Sequence, residues 1–184
     1  MDFLCYHRDR TGSMPLRQAL LEAHWSYMDT FAKELIARGP TFDDAGEACT
    51  GSVHIVALPD VAAARSFAFD EPNYQAGVYR DVLLRRWHNT LGRTMWDYAG
   101  GREGGNRYLV LGFGEGEPAD LSAPAGDDLI AYGPLFADDG TTWVGTAALV
   151  RAADASTAAA VLRSPDRYAD IEVHNWSFGG RPTT

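Results

Sequence analysis

Lysine is nearly missing from this chain, cysteine is scarce, and no long apolar run interrupts it. Of its 16 basic residues in 184, only Lys33 is lysine and the other 15 are arginine. That bias fits a GC-rich coding sequence and carries no mechanism. Cys5 and Cys49 are too few for a disulfide framework at this length and lack a zinc-ligand spacing, so reduced thiols are expected. No apolar stretch approaches the ~20 residues that cross a bilayer. The N-terminus, Met1-Asp2-Phe3-Leu4-Cys5-Tyr6-His7-Arg8, has no basic region leading into a long apolar segment; a cytoplasmic protein is expected. Basic charge is outweighed by 25 acidic residues, giving a net charge of −9, which argues against nucleic acid or an anionic membrane as partner. The chain contains no HExxH, paired CxxC or two-histidine spacing, so no metal is expected. Gly112-Phe113-Gly114-Glu115-Gly116-Glu117 has the glycines of a phosphate loop, but its glutamates repel phosphate and no lysine follows. No cofactor is expected either.

What the chain does have is self-similarity. Glu34-Leu35-Ile36-Ala37-Arg38-Gly39-Pro40-Thr41-Phe42 returns 94 residues later as Asp128-Leu129-Ile130-Ala131-Tyr132-Gly133-Pro134-Leu135-Phe136. The same offset pairs Asp44 with Asp138, Gly51 with Gly145 and Asp60 with Asp154. Towards the end of each half the offset becomes 89, with Tyr79 facing Tyr168 and Trp87 facing Trp176. Repeats decide architecture before single elements do. The reading is a first domain over 1–99, a glycine-rich linker over 100–106 and a degenerate second copy over 107–184.

Residues 2–8 read as a strand. Leu16, Leu20, Ala23, Tyr27, Phe31 and Leu35 recur at helical spacing, predicting one helix over 15–38 that stops at Gly39-Pro40. Strand 52–58, a helix capped by Asp60 and running to Phe69, and strand 78–87 complete the first copy. The second copy has strands 107–113, 143–151 and 168–177, helix 154–163, and about three turns fewer in its first helix. Helices between strands that no tight hairpin joins give a ferredoxin-like α+β unit. Two such units packed sheet to sheet would cover each other's open faces.

The first half resembles the YCII-related (YciI-like) family. The resemblance rests on Leu16-Arg17 and Ala23-His24 on the first helix, Gly39-Pro40 with its acidic loop, Thr50-Gly51-Ser52 at a strand start, and Ala76-Gly77-Val78-Tyr79 before the last strand. It implies an intrachain dimeric α+β barrel and a cofactor-independent enzyme of small organic molecules, the family including a dehydrochlorinase of a chlorinated hydroxyhydroquinone. It also implies a His/Asp pair. The arginine that commonly lies three residues before the family's histidine is Leu21 here.

His24 is the leading candidate, since an imidazole exchanges protons near neutral pH when a carboxylate fixes its tautomer. Asp43, Asp44 and Asp70 are the carboxylates within reach of such a fold. Asp44 recurs as Asp138 in the copy without the histidine, which favours a turn role and leaves Asp43 or Asp70 to orient His24. Ser52 and His54 share one face of their strand and, with Tyr27 and Asp44, are candidate substrate contacts, while Trp25, Tyr132, Trp143 and Trp176 are candidate pocket walls. The function expected is elimination, isomerisation or cyclisation of a small molecule, with aromatic and polyketide-type compounds as the candidate substrates. The alternative is a non-catalytic binding or scaffold module with His24 in its core. An oxygen-using monooxygenase of similar barrel shape rests on fold analogy alone. The chain is expected to be a monomeric pseudo-dimer or a homodimer.

Overall fold

A computed structural model gives the structure of residues 1–181. Strand β1 (Asp2–Asp9) leads to helices α1 (Met14–Ala19) and α2 (Leu21–Asp29), then to strands β2 (Leu35–Phe42) and β3 (Cys49–Ala57). Helices α3 (Val61–Phe69) and α4 (Pro72–Gln75) precede strand β4 (Tyr79–Trp87). The second half has strands β5 (Arg107–Phe113), β6 (Leu129–Phe136) and β7 (Trp143–Arg151), the short helix α5 (Ala155–Ala159), and strand β8 (Asp170–Trp176). The eight strands close into an antiparallel barrel in the order β1-β3-β2-β8-β5-β7-β6-β4. No helix among the described residues is long and apolar enough to cross a membrane.

Alternation along the strands sorts the core into layers. Leu4, Tyr6, Val53, Ile55, Leu109, Leu111, Ala147 and Leu149 point one way and form a cluster drawn from both halves. Phe3, Cys5 and Val56 point the other way and pack under the first half's helices with Met28, Phe67 and Ala68. Tyr108, Val110, Ala148 and Val150 do the same in the second half, against Ala158, Val161 and Leu162. Burial of each large side chain stabilises by about 1.5–3 kcal/mol.

Several sequence expectations fail at one place. The helix predicted over 15–38 ends at Asp29, and Leu35–Phe42 is a strand in which Gly39-Pro40 sits mid-element. Leu16 and Ala23, assigned to its buried face, are exposed, while His24 and Met28 are the buried residues of α2. Gly39 is there for a close approach rather than for a cap: a Cβ at this position would fall on the Ser177 carbonyl oxygen. Gly133 is under the same constraint from the His88 carbonyl.

These glycines mark the two seams that close the barrel. Thr41 and Phe42 of β2 pair with Trp176 and Asn175 of β8, and Arg86 and Trp87 of β4 pair with Phe136 and Leu135 of β6. Each seam is extended beyond its strand. Ser177 and Gly179 donate to the carbonyls of Pro40 and Arg38, as His88 and Thr90 donate to those of Pro134 and Tyr132. The four strands of each half follow the same order, β4-β1-β3-β2 and β8-β5-β7-β6. The glycine-rich segment between them is tied down by Arg107, whose guanidinium donates to the carbonyls of Gly101 and Glu103 at 3.2 and 3.0 Å.

The helix expected to start at Asp60 is present, and its cap is seen directly: the Asp60 carboxylate accepts from the Ala63 amide at 2.8 Å. Asp154 caps α5 in the same way through Thr157. No helix lies between β5 and β6 among the described residues.

Candidate active site

Strands β1 and β3 place polar side chains beneath helix α2. The register sets His7 beside Ser52 and Cys5 beside His54, and these four residues all lie on the helix side of the sheet. From above, α2 contributes His24 and Met28, one turn apart and both buried. The result is a row of three imidazoles, with ring centroids 5.9 Å apart between His7 and His54 and 5.7 Å apart between His54 and His24. No group of three His, Cys, Asp or Glu side chains among the described residues is arranged to hold a metal ion.

The three rings have different surroundings. His7 Nε2 donates to the Ala68 carbonyl at 2.8 Å, which fixes its tautomer. Burial lowers its pKa to about 4. Burial above all, with proximity to other basic side chains, holds His54 well below the ordinary histidine value. Both are therefore neutral at pH 7. His24 alone has a carboxylate, with Nδ1 2.6 Å from Glu71 Oε1.

Glu71 is fully buried and its position is written in local sequence. Pro72 restricts the preceding residue to extended backbone, and Glu71 has φ −64° and ψ 132°. It is thereby the N-cap of α4, its Oε2 accepting from the Tyr74 amide at 2.9 Å. Burial opposes its ionisation. The hydrogen bond and charge of His24 and the Tyr74 amide outweigh that cost, leaving the carboxyl below its ordinary range. An ionised Glu71 accepts the Nδ1 proton of His24, so the neutral ring carries its lone pair on Nε2.

His24 faces a cavity of about 310 Å³ bounded by α1, α2, β2, β3 and the segment after β8. Ser52 and His54 form part of its floor, and Trp25 and Phe42 part of its aromatic wall. Phe178, Gly179 and Gly180 line it from the second half. Arg181 anchors that segment on α2: its guanidinium donates to Glu22 at 2.7 and 2.8 Å and to Asp29 at 2.7 Å, and lies 5.5 Å from the centre of the Trp25 ring. Arg17 reaches in from α1, donating to Ser52 Oγ at 2.5 Å and to Asp9 Oδ1 at 2.9 Å.

The corresponding place in the second half is occupied by side chains among the described residues. Gly112 is the register partner of Thr146, as His7 is of Ser52. The space is filled by Tyr168 and Leu162, on which a Cβ at Gly112 would fall. The Tyr168 hydroxyl donates to Asp120 Oδ2 at 2.9 Å and lies 2.9 Å from Thr146 Oγ1.

Of the residues singled out from sequence, His24, Ser52, His54 and Trp25 meet at the cavity. The carboxylate on His24 is Glu71 rather than Asp43 or Asp70. Asp70 is the exposed C-terminal cap of α3. Asp43 accepts from the Glu47 and Ala48 amides in the β2–β3 turn, and Asp44 is exposed beside it. Tyr27 braces α2 against α3 through the Ser66 and Phe67 carbonyls, both at 3.2 Å, rather than lining the cavity. Tyr132 and Trp143 belong to the second half's helix-side core, and Trp176 to the barrel interior. Glu71, Arg17, Arg38 and the Phe178–Gly180 segment were missed from sequence. The Glu71-Pro72 pair was the available signal for the first.

The YCII-related domain model matches residues 1–88, from before β1 to just past β4. No curated protein matches the chain. Among solved structures, 5-chloro-2-hydroxyhydroquinone dehydrochlorinase of Burkholderia phenoliruptrix AC1100, in complex with 2,5-dihydroxybenzoquinone, is 27% identical over 50% of this chain and 99% of its own, with a TM-score of 0.46. A protein of Lactobacillus acidophilus NCFM described as a candidate monooxygenase is 10% identical over 97% of both chains, with a TM-score of 0.52. The second likeness is one of fold.

Proposed function

We propose that this protein is an enzyme of small-molecule metabolism in which His24, held by Glu71, transfers a proton to and from a substrate bound in the cavity beneath α2. The observation that carries this is the 2.6 Å contact between His24 Nδ1 and a fully buried carboxylate, at the edge of a cavity large enough for one ring. Such a pair fixes the imidazole tautomer, leaves Nε2 as base and stabilises the imidazolium that forms. In an elimination, isomerisation or cyclisation, Nε2 takes a proton from carbon or oxygen and returns it to the product or leaving group. This proton transfer draws on the chain's own side chains.

We also read the chain as two copies of one unit fused through 100–106, with one site per chain. The matching strand orders and matching seam hydrogen bonds support that reading. The second copy has filled its own cavity and supplies a wall to the first. Because the barrel is closed within one chain, a monomer is expected.

The competing reading is a binding module without turnover. Turnover of a panel of phenolic and keto-enol compounds by wild type and by His24→Asn separates the two. The enzymatic reading expects conversion that falls by about 10²-fold or more in a folded variant. Binding without conversion by the wild type supports the module.

A further inference from the structure

We propose that the cavity takes its ligand as an anion, a small ring compound whose carboxylate is held between Arg17 and Arg38. This rests on the proposed function only for where the ligand lies.

In a chain of net charge −9, the described residues lining the cavity include two arginines and no Asp or Glu, the nearby carboxylates being those paired with Arg17, Arg38 and His24, namely Asp9, Asp29 and Glu71. Neither arginine is fully used by the protein. Arg17 gives one nitrogen to Asp9 and one to the neutral Ser52 hydroxyl. Arg38 has Asp29 at 3.6 Å from Nη1, while its Nε is buried without a partner. His54 is 2% exposed, lines the same cavity, and also has a buried ring nitrogen, Nδ1, without a partner. A buried guanidinium N–H such as that of Arg38 is rarely left unmatched.

A planar carboxylate matches the N–H fork of a guanidinium, which accepts no bond and donates several in one plane. The aromatic walls, Trp25, Phe42 and Phe178, suit a flat apolar body attached to that group. The cavity volume lies at the small end of the range for ligand pockets, about 300–1,000 Å³, which favours a single ring. Arg17 comes to the cavity from α1 and Arg38 from β2, so the two guanidinium groups approach it from different elements.

Titration calorimetry of the full chain with salicylate and with the neutral, nearly isosteric salicylamide tests this. Salicylate should bind about ten-fold or more tightly than salicylamide. Arg38→Gln and Arg17→Gln should each reduce that preference to about three-fold or less, with Arg38→Gln decisive if the other variant does not fold, while His24→Asn should keep it. Equal binding of the two probes overturns the proposal, and so does binding of neither. A folded Arg38→Gln that retains the full preference overturns it, as does a His24→Asn that loses it, since the imidazolium would then be the anion's partner. Loss of turnover in His24→Asn with salicylate binding intact leaves the anion site standing, so the two readings fail separately.

Discussion

Glu71 serves two structures with one carboxylate: Oε2 caps α4 and Oε1 holds His24. Glu71→Gln keeps the side chain's shape but offers one acceptor oxygen where two are used; with that oxygen capping α4, its NH2 group faces His24 Nδ1 and the charge is gone, so the fold should persist while turnover falls by about 10²-fold or more, measured as kcat beside a circular dichroism spectrum. The neighbouring imidazoles set the acid sensitivity of the fold. His7, with its pKa lowered to about 4, and His54, also lowered, take up protons near pH 6.5 when unfolded but not when folded. The unfolded state therefore binds more protons below that pH, and stability falls by about 1.4 kcal/mol per pH unit for each ring. Glu71 acts in a lower window, its contribution being present above the ordinary glutamate range and lost as pH falls through its depressed pKa. Urea unfolding between about pH 7 and 5 should show that slope, and His54→Leu should remove roughly one histidine's share of it. His24 was legible through the family resemblance, since a histidine on an apolar helical stripe is by itself more often a core residue. Its partner was expected at Asp43 or Asp70 and is Glu71, the acid next to Asp70, which the backbone set by Pro72 turns inward.

At the level of elements, strand β2 is the instructive case. Gly39-Pro40 has the residue types of a helix stop, and helical spacing runs up to it, so local pattern alone yields a helix there. The competing signal is a seam partner about 135 residues away in the chain, which no local window contains. The repeated Gly-Pro at 133–134 was visible, but its meaning, room for a neighbouring carbonyl, emerges only from the closed barrel. Gly39→Ala and Gly133→Ala should each destabilise by about 2 kcal/mol or more, read from denaturant midpoints at unchanged slope. The segment after β8 behaves differently. Its Arg181 contacts are partly exposed, so Arg181→Glu should leave the denaturant midpoint little changed. Repulsion from Glu22 and Asp29 should nevertheless release the cavity wall and weaken ligand binding several-fold by calorimetry.

The whole molecule is a barrel closed by two short seams between halves that differ in what their helix-side layers hold. The self-similarity of the two halves includes Gly39 and Gly133, which lie at the seams, and Trp87 and Trp176, which lie in the shared core. The site was only partly legible because its walls come from α1, α2, β2, β3 and the far end of the chain. Net negative charge excludes a basic surface but says nothing of a cavity, where two arginines face inward among aromatic rings. The central claim is that His24 moves a proton in that cavity. It is tested most directly by deuterium incorporation from D₂O into ring or α-carbon positions of hydroxylated aromatic acids and keto-enol acids, followed by proton NMR. The account predicts exchange with wild type for at least one of them, slowed about 10²-fold or more in a folded His24→Asn. Equal exchange by the two proteins, or none by the wild type, would contradict it.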